Sequence, residues 1–221
     1  MRYSLILASQ SPRRRALLTA LGLTFTVDAA DVDETPRPDE PPADLVCRLG
    51  RTKALAVAAR HPGAVVLAAD TVVALDGALL GKPADSAEAW AMLVALRGRT
   101  HQVYTAVAVA HNSDISSQLS ITYSVLSCSD VTMRPYSDAE IATYVASCDP
   151  LDKAGAYAIQ HPLFAPVAGW TGCYTAIMGL PLGVTAELLR AAGVPVPGDV
   201  AAACEGIGGN CCLRLELEAG S

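Results

Sequence analysis

The chain has 221 residues, of which 52% are hydrophobic and 17% charged, and its formal net charge is −6. This composition describes one large globular unit with apolar material for its own core and excludes a disordered chain. The acidic balance excludes a non-specific binder of nucleic-acid polymers, so an anionic ligand must meet a local basic pocket. No run reaches the roughly 18 consecutive apolar residues of a membrane span, and the N-terminus lacks a long signal-peptide core, so a cytoplasmic protein without membrane contact is expected.

Leu5-Ile6-Leu7-Ala8 predicts a buried strand. After the turn Ser9-Gln10-Ser11-Pro12-Arg13-Arg14-Arg15, the spacing of Ala16, Leu17, Leu18 and Leu21 predicts a helix that Gly22 stops. A helix N-terminus offers unpaired N–H groups and partial positive charge. With Ser9, Ser11 and the guanidinium groups this makes an anion cradle, although three arginines in a turn also suit a solvated basic face. Residues 24–27 predict a short strand, and residues 28–42, acidic and proline-rich, a loop. Leu45, Val46, Leu49, Ala54 and Val57 give residues 43–60 the pattern of a long helix, ended by His61-Pro62-Gly63.

Residues 65–69 read as a fully buried strand that continues through residues 72–75, and Asp76-Gly77 signals a hairpin into residues 78–80. Asp85 and Glu88 cap a helix with Trp90, Leu93 and Leu96 on its core face. Residues 101–110 and 119–128 predict a long antiparallel pair joined by a polar segment at 111–118. Ser137-Asp138-Ala139-Glu140 is a capping box opening a helix to about residue 147. Residues 171–178 read as a strand and residues 184–192 as a final helix. Residues 196–221, rich in alanine, glycine and cysteine, read as a disordered tail beyond a domain at 1–195. The seven cysteines form no C-x-x-C pair, which suggests neither a disulfide framework nor a zinc site.

Asp70 follows a buried apolar run, in the kind of position where open α/β sheets place ligand crevices. It is either a satisfied structural carboxylate or a functional one. Glu34 lies on a loop able to reach the same edge, and two neighbouring carboxylates can hold a hard divalent cation or take a proton from water. Lys53 and Lys82 are the basic counterparts, Lys82 being held between Gly81 and Pro83. The amide of Gln160 can both donate and accept, as reading a nucleobase edge requires. The sequence carries neither a P-loop nor a G-x-S-x-G or zinc-protease motif.

Read together, these segments resemble the Maf family of nucleoside triphosphate pyrophosphatases. The run from Leu5 to Leu18 resembles the family's opening signature, and Ala68-Ala69-Asp70-Thr71-Val72-Val73 its second motif. Gly81-Lys82-Pro83, His101-Gln102-Val103-Tyr104-Thr105, Asp152-Lys153-Ala154-Gly155-Ala156-Tyr157 with Gln160, and Gly179-Leu180-Pro181-Leu182 follow in family order, so the likeness spans residues 4–194. It implies an α/β fold, a mixed twisted sheet flanked by helices in two lobes around a cleft, and shared architecture with inosine triphosphate pyrophosphatases. It also implies hydrolysis between the α and β phosphates with a divalent metal (Mg, Mn or Co), and a homodimer.

By the same resemblance Asp70 is the proton acceptor, Ser9, Arg14, Lys53 and Lys82 bind the triphosphate, and Glu34 helps bind the metal. Arg13, Thr71 and Gln160 occupy the positions that tune base choice, and this combination resembles the branch acting on dTTP and UTP. The 7-methyl-GTP branch carries Trp, Gln and Glu there. Arg15 is expected to be solvated. A nucleotide-binding regulator of septum formation, without catalysis, is the alternative of a different class; intact Asp70, Lys53 and Lys82 argue against it. Ala106 and Cys173 depart from the family's usual Gly and Ser.

Overall fold

The computed structural model describes residues 4–112 and 119–209. Strand β1 (Leu5–Leu7) leads through the hydroxyl turn into helix α1 (Pro12–Ala20), followed by strand β2 (Thr26–Val27) and helix α2 (Pro42–Ala58). Strand β3 (Val65–Leu75) turns through Asp76 and Gly77, both at positive φ, into strand β4 (Ala78–Leu80). That is the backbone a two-residue hairpin needs, and an Asp-Gly pair adopts it at low cost. Helix α3 (Ser86–Leu96) is capped by Asp85, which accepts from the Glu88 N–H. Strands β5 (Thr100–Asn112) and β6 (Leu119–Met133) precede helix α4 (Asp138–Ala146), whose capping box forms as expected. Residues 113–118 of the expected polar connection lie outside the described residues.

The sheet runs β2-β1-β3-β5-β6 and then to strand β7 (Val167–Trp170), with β4 paired to the far end of β3. It is mixed: β1 is parallel to β2 and β3, whereas β5 and β6 are antiparallel to their neighbours. Side chains alternate across it. Leu5, Leu7, Leu67, Ala69, Val107 and Val109 face one way, and Ile6, Ala8, Val66, Ala68, Ala108 and Ala110 face the other. The alanine-rich face lets α2 lie close, with Ala54, Val57 and Ala58 fully buried against it. A Cβ built on Gly50 would come 3.7 Å from the Ala106 methyl, so the extra carbon of Ala106 is accommodated by a glycine on the facing helix.

A separate core gathers Val73, Met92, Leu93, Leu96, Tyr136, Ile141, Tyr144 and Phe164 under the β3–β4 hairpin. With the clusters on the two faces of the sheet this makes three, and the third, at the far end of β3, forms a second lobe. The fold is therefore mixed α/β, an open sheet flanked by helices. No helix among the described residues is long and apolar enough to cross a membrane.

Two expectations fail. Residues 171–178 do not form a strand: β7 ends at Trp170, and Tyr174–Ile177 is a one-turn helix, α5. The β-branched and aromatic residues that suggested a strand are instead buried on all sides, Tyr174, Thr175, Ala176 and Ile177 alike. Gly172, at φ +82, makes the break; a Cβ there would fall 2.8 Å from the Ser129 hydroxyl.

The second concerns the final helix and the start of the expected tail. Helix α6 (Leu182–Ala191) is not the last, because helix α7 (Val200–Gly206) follows it. Asp199 caps α7, Val200 and Cys204 are buried against the first core, and the Gly198 N–H donates to the Leu21 carbonyl at 3.0 Å. A Cβ at Gly198 would sit 2.6 Å from that carbonyl oxygen, so glycine is what lets the chain dock there. Residues 210–221 of the expected tail lie outside the described residues.

Candidate active site

A cleft of about 1220 Å³ opens between the lobes, lined by Ser9, Arg13, Arg14, Glu34, Lys53, Asp70, Thr71, Lys82 and Gln160 among others. All nine residues singled out in the sequence thus share one cavity. Its position follows from a gap in the sheet. β1 pairs with β3 only as far as Leu67, and β4 joins the same edge only at Val73. Between them, the stretch of β3 that carries Asp70 and Thr71 has no neighbouring strand on that side. A strand buried at both ends is thereby open to ligand in its middle.

On one wall, Ser11 caps α1 by accepting from the Arg14 N–H at 3.4 Å, with Pro12 in the first turn, where its missing N–H costs nothing. The Ser9 hydroxyl accepts from the Ser11 N–H at 3.3 Å and from Arg14 Nη1 at 3.2 Å. Both lone pairs are used, which leaves its own O–H to donate outward. Arg14 also donates from Nε to the Gly179 carbonyl at 2.9 Å and from Nη2 to Thr71 Oγ1 at 3.1 Å. Burial lowers the Arg14 pKa from its usual value, and the negative charge of Asp70 opposes this. The group remains a cation, as arginine does in proteins, and two of its five N–H donors stay available for an anion.

On the floor, Lys53 of α2 reaches Asp70 Oδ1 at 2.5 Å and Glu34 Oε1 at 2.8 Å. Asp70 and Lys53 are both buried, whereas the Glu34 side chain is 58% exposed. Asp70 lies across from Ala106 in the ladder, so its orientation is set by a rigid strand rather than by a loop. Among the described residues no cluster of three or more His, Cys, Asp or Glu side chains could hold a metal. Two hard carboxylate oxygens nevertheless converge on one cation, Lys53 Nζ. A pair of carboxylates suits a magnesium-like ion whose other ligands are water and phosphate oxygens, so the residues fit a metal that arrives with a phosphate ligand.

The side chains of Arg13, Lys82 and Gln160 line the cleft and make no hydrogen bond to protein among the described residues. Their polar ends are free for a ligand. Thr71 differs: its hydroxyl accepts from Arg14 and contacts Thr105 Oγ1 at 3.0 Å. Arg15 is exposed and outside the cleft, as expected. A smaller hollow of about 420 Å³ beside α2 holds none of the expected residues. Its main cation, Arg48, is already neutralised by Glu40 through contacts of 2.6 and 2.7 Å, and Arg48 holds the Glu40 pKa down at about 2.

The sequence reading assigned no role to two polar residues close to the site. Lys153 is buried and its ammonium is saturated by Asp149 and Asp152, which ties down the turn leading to Gln160. Thr105 is buried beneath Thr71. The signal for Thr105 is a threonine directly across from another threonine, but that is visible only once the strand register is known.

Comparison with known proteins agrees with this geometry. The family described as "Maf-like protein" matches residues 4–192. A protein named "dTTP/UTP pyrophosphatase" from Myxococcus xanthus (strain DK1622) is 52% identical over 193 residues, covering 87% of this chain and 94% of the relative. One of the same name from Thermomicrobium roseum (strain ATCC 27502 / DSM 5159 / P-2) is 50% identical, covering 87% and 86%. Among solved structures, a HAM1 protein from Coxiella burnetii matches with a TM-score of 0.40 at 17% identity, covering 61% of this chain and 75% of that one. The motifs, the cleft they line and a family match over residues 4–192 have one explanation: the chain belongs to the Maf family.

Proposed function

We infer that the protein is a nucleoside triphosphate pyrophosphatase that hydrolyses dTTP and UTP to the monophosphate and pyrophosphate. The observation that carries this reading is the pairing of Asp70 with Lys53 in the gap of the sheet, opposite the Ser9–Arg14 cradle. A cleft that presents the unpaired Arg13 and Lys82 side chains beside Arg14 suits an anion, and a strand-mounted carboxylate facing it suits a proton acceptor.

In the proposed reaction, Ser9, Arg14 and Lys82 hold the triphosphate, Ser9 through its outward O–H and the two cations through their free N–H donors. A water gives its proton to Asp70 as its oxygen bonds to the α-phosphorus; the bond from that phosphorus to the bridging oxygen breaks, and pyrophosphate leaves carrying that oxygen. Lys53 keeps Asp70 aimed until the phosphates enter the cleft. Such reactions are accelerated mainly by positioning and by cations around the phosphate oxygens. Glu34 would help hold a divalent cation (Mg, Mn or Co), whose charge would offset that of the phosphates. Gln160 reads the imide edge of the pyrimidine, whose O4 accepts and N3–H donates. Arg13 and Thr71 complete the choice of base, Thr71 through its grip on Arg14. The same reading assigns a homodimer working in the cytoplasm on the nucleotide pool.

The test is a substrate panel of dTTP, UTP, 7-methyl-GTP, ITP and ATP with each of the three metals. Pyrophosphate release from dTTP and UTP is expected, with Asp70→Asn binding nucleotide without turnover. Absence of release from every substrate would sink the enzymatic reading. Preference for 7-methyl-GTP or ITP would overturn the assignment of the base.

A further inference from the structure

Thr105 lies fully buried on β5, out of reach of any ligand, yet its hydroxyl touches Thr71, one support of Arg14, and the Ala176 carbonyl, which holds the turn carrying the other. Its O–H donates to the Ala176 carbonyl at 2.8 Å. With that proton committed, the 3.0 Å contact between the two threonines can only be Thr71 donating to Thr105. Thr71 Oγ1 then has its lone pair turned to Arg14 Nη2, 3.1 Å away. Arginine only donates and a carbonyl only accepts, so the chain Arg14, Thr71, Thr105, Ala176 has one consistent direction.

The second support runs through the turn after α5. The Ala176 carbonyl that takes the Thr105 proton also accepts from the Gly179 N–H at 2.8 Å. The Gly179 carbonyl in turn accepts from Arg14 Nε at 2.9 Å. This turn is tight: Gly179 has φ +112, and a Cβ there would lie 3.4 Å from Arg14 Nε. Two of the three protein contacts on the guanidinium therefore trace back to one buried hydroxyl.

We propose that Thr105 is a positioning residue for Arg14, orienting its guanidinium so that the free N–H donors face the triphosphate. The inference rests on the pyrophosphatase reading for its assay. Removing the hydroxyl frees Thr71 to rotate and loosens the Ala176–Gly179 turn, so the fork loses its aim while the cleft keeps its charge. A displacement on the scale of about 1 Å is enough to cost turnover heavily.

The experiment compares Thr105→Val, which keeps the shape, with Thr105→Ser, which keeps the hydroxyl. Each is made in the wild-type chain and in an Arg14→Lys background, with folding checked by thermal melting. Thr105→Val is expected to lower kcat/KM for dTTP by about tenfold or more, while Thr105→Ser stays within about threefold. In the Arg14→Lys background the valine change should add little, because the group it positions is gone. The same pattern is expected in the affinity for α,β-methylene-dTTP, which is read without turnover. Unchanged kinetics in a folded Thr105→Val would overturn the proposal, and so would an equal loss in both backgrounds, which marks a general structural role. Should the valine variant melt below the assay temperature, Thr105→Ala takes its place with the same two criteria. A wild-type chain that releases no pyrophosphate from dTTP refutes the function itself, an outcome distinct from either of these.

Discussion

Lys53→Met tests the pair at the floor of the cleft. The Lys53 and Asp70 side chains are 10% and 9% exposed and 2.5 Å apart, and the second partner, Glu34, is 58% exposed. At an effective dielectric of about 20, charges this close attract by about 7 kcal/mol, and desolvation of the two ions offsets most of that. The net worth of the pair is therefore small, but stranding one member is costly. Methionine keeps the apolar stem and removes the ammonium, so Lys53→Met should destabilise by about 3–5 kcal/mol, the usual cost of leaving a buried charge unpaired. Asp70→Asn should cost less, since Lys53 retains Glu34 at 2.8 Å. Glu34→Gln, which touches only the exposed contact, should cost at most about 1 kcal/mol.

The decisive sample is the double variant Lys53→Met/Asp70→Asn, which has neither charge. It should be more stable than the sum of the single losses predicts, by about 2 kcal/mol. Urea denaturation of the wild type and the variants, with midpoints compared at a common slope, measures this directly. Single losses that add to within about 0.5 kcal/mol would refute the coupling, and with it the claim that Lys53 holds Asp70.

Two further outcomes follow from the geometry. His101 is fully buried beside the Tyr157 hydroxyl, and burial lowers its pKa from 6.5 to about 4, opposed by Asp130. Between those values the unfolded chain carries a proton that the native chain lacks, so this contribution rises with pH, is complete above about pH 6.5 and is lost as pH falls to about 4. It amounts to about 3 kcal/mol at 1.36 kcal/mol per pKa unit. His101→Gln should flatten the difference between urea midpoints at pH 7 and pH 4.5; an unchanged acid limb would count against it. Arg14→Ala should lower kcat/KM for dTTP by about 100-fold or more, whereas exposed Arg15→Ala should stay within about twofold; similar losses in both would contradict the division of the arginines.

Much of the fold was legible in the residues. The continuous apolar run of β3, the β-rich run of β5, the Asp76-Gly77 turn and the capping box of α4 each encode a local geometry, and each element formed close to its expected bounds. The site was legible as a set of residue types, because a cradle of hydroxyls and guanidiniums is a local feature of one turn and helix start. Residues 171–178 were misread because β-branched residues satisfy a strand and a buried helical turn equally well; Thr175 and Ile177 went to the latter. The order in residues 197–209 was illegible because it depends on a distant acceptor, the Leu21 carbonyl, and on a groove only α1 and α6 create.

Local pattern carries the strands and helices of the first half and the turn of hydroxyls and guanidiniums at the start of α1, whereas the grouping of Asp70, Lys53, Lys82 and Gln160 came from the family resemblance. Which of those side chains are engaged and which are free depends on the folded arrangement. Arg14 is held by a carbonyl 165 positions away, and Thr105 by one 71 positions away. Periodicity carries burial and local backbone shape, whereas hydrogen-bond partners at such separations are set by sheet order and register. That is why three arginines in a row look alike on the page, while in the fold one is clamped, one faces the cleft and one faces water.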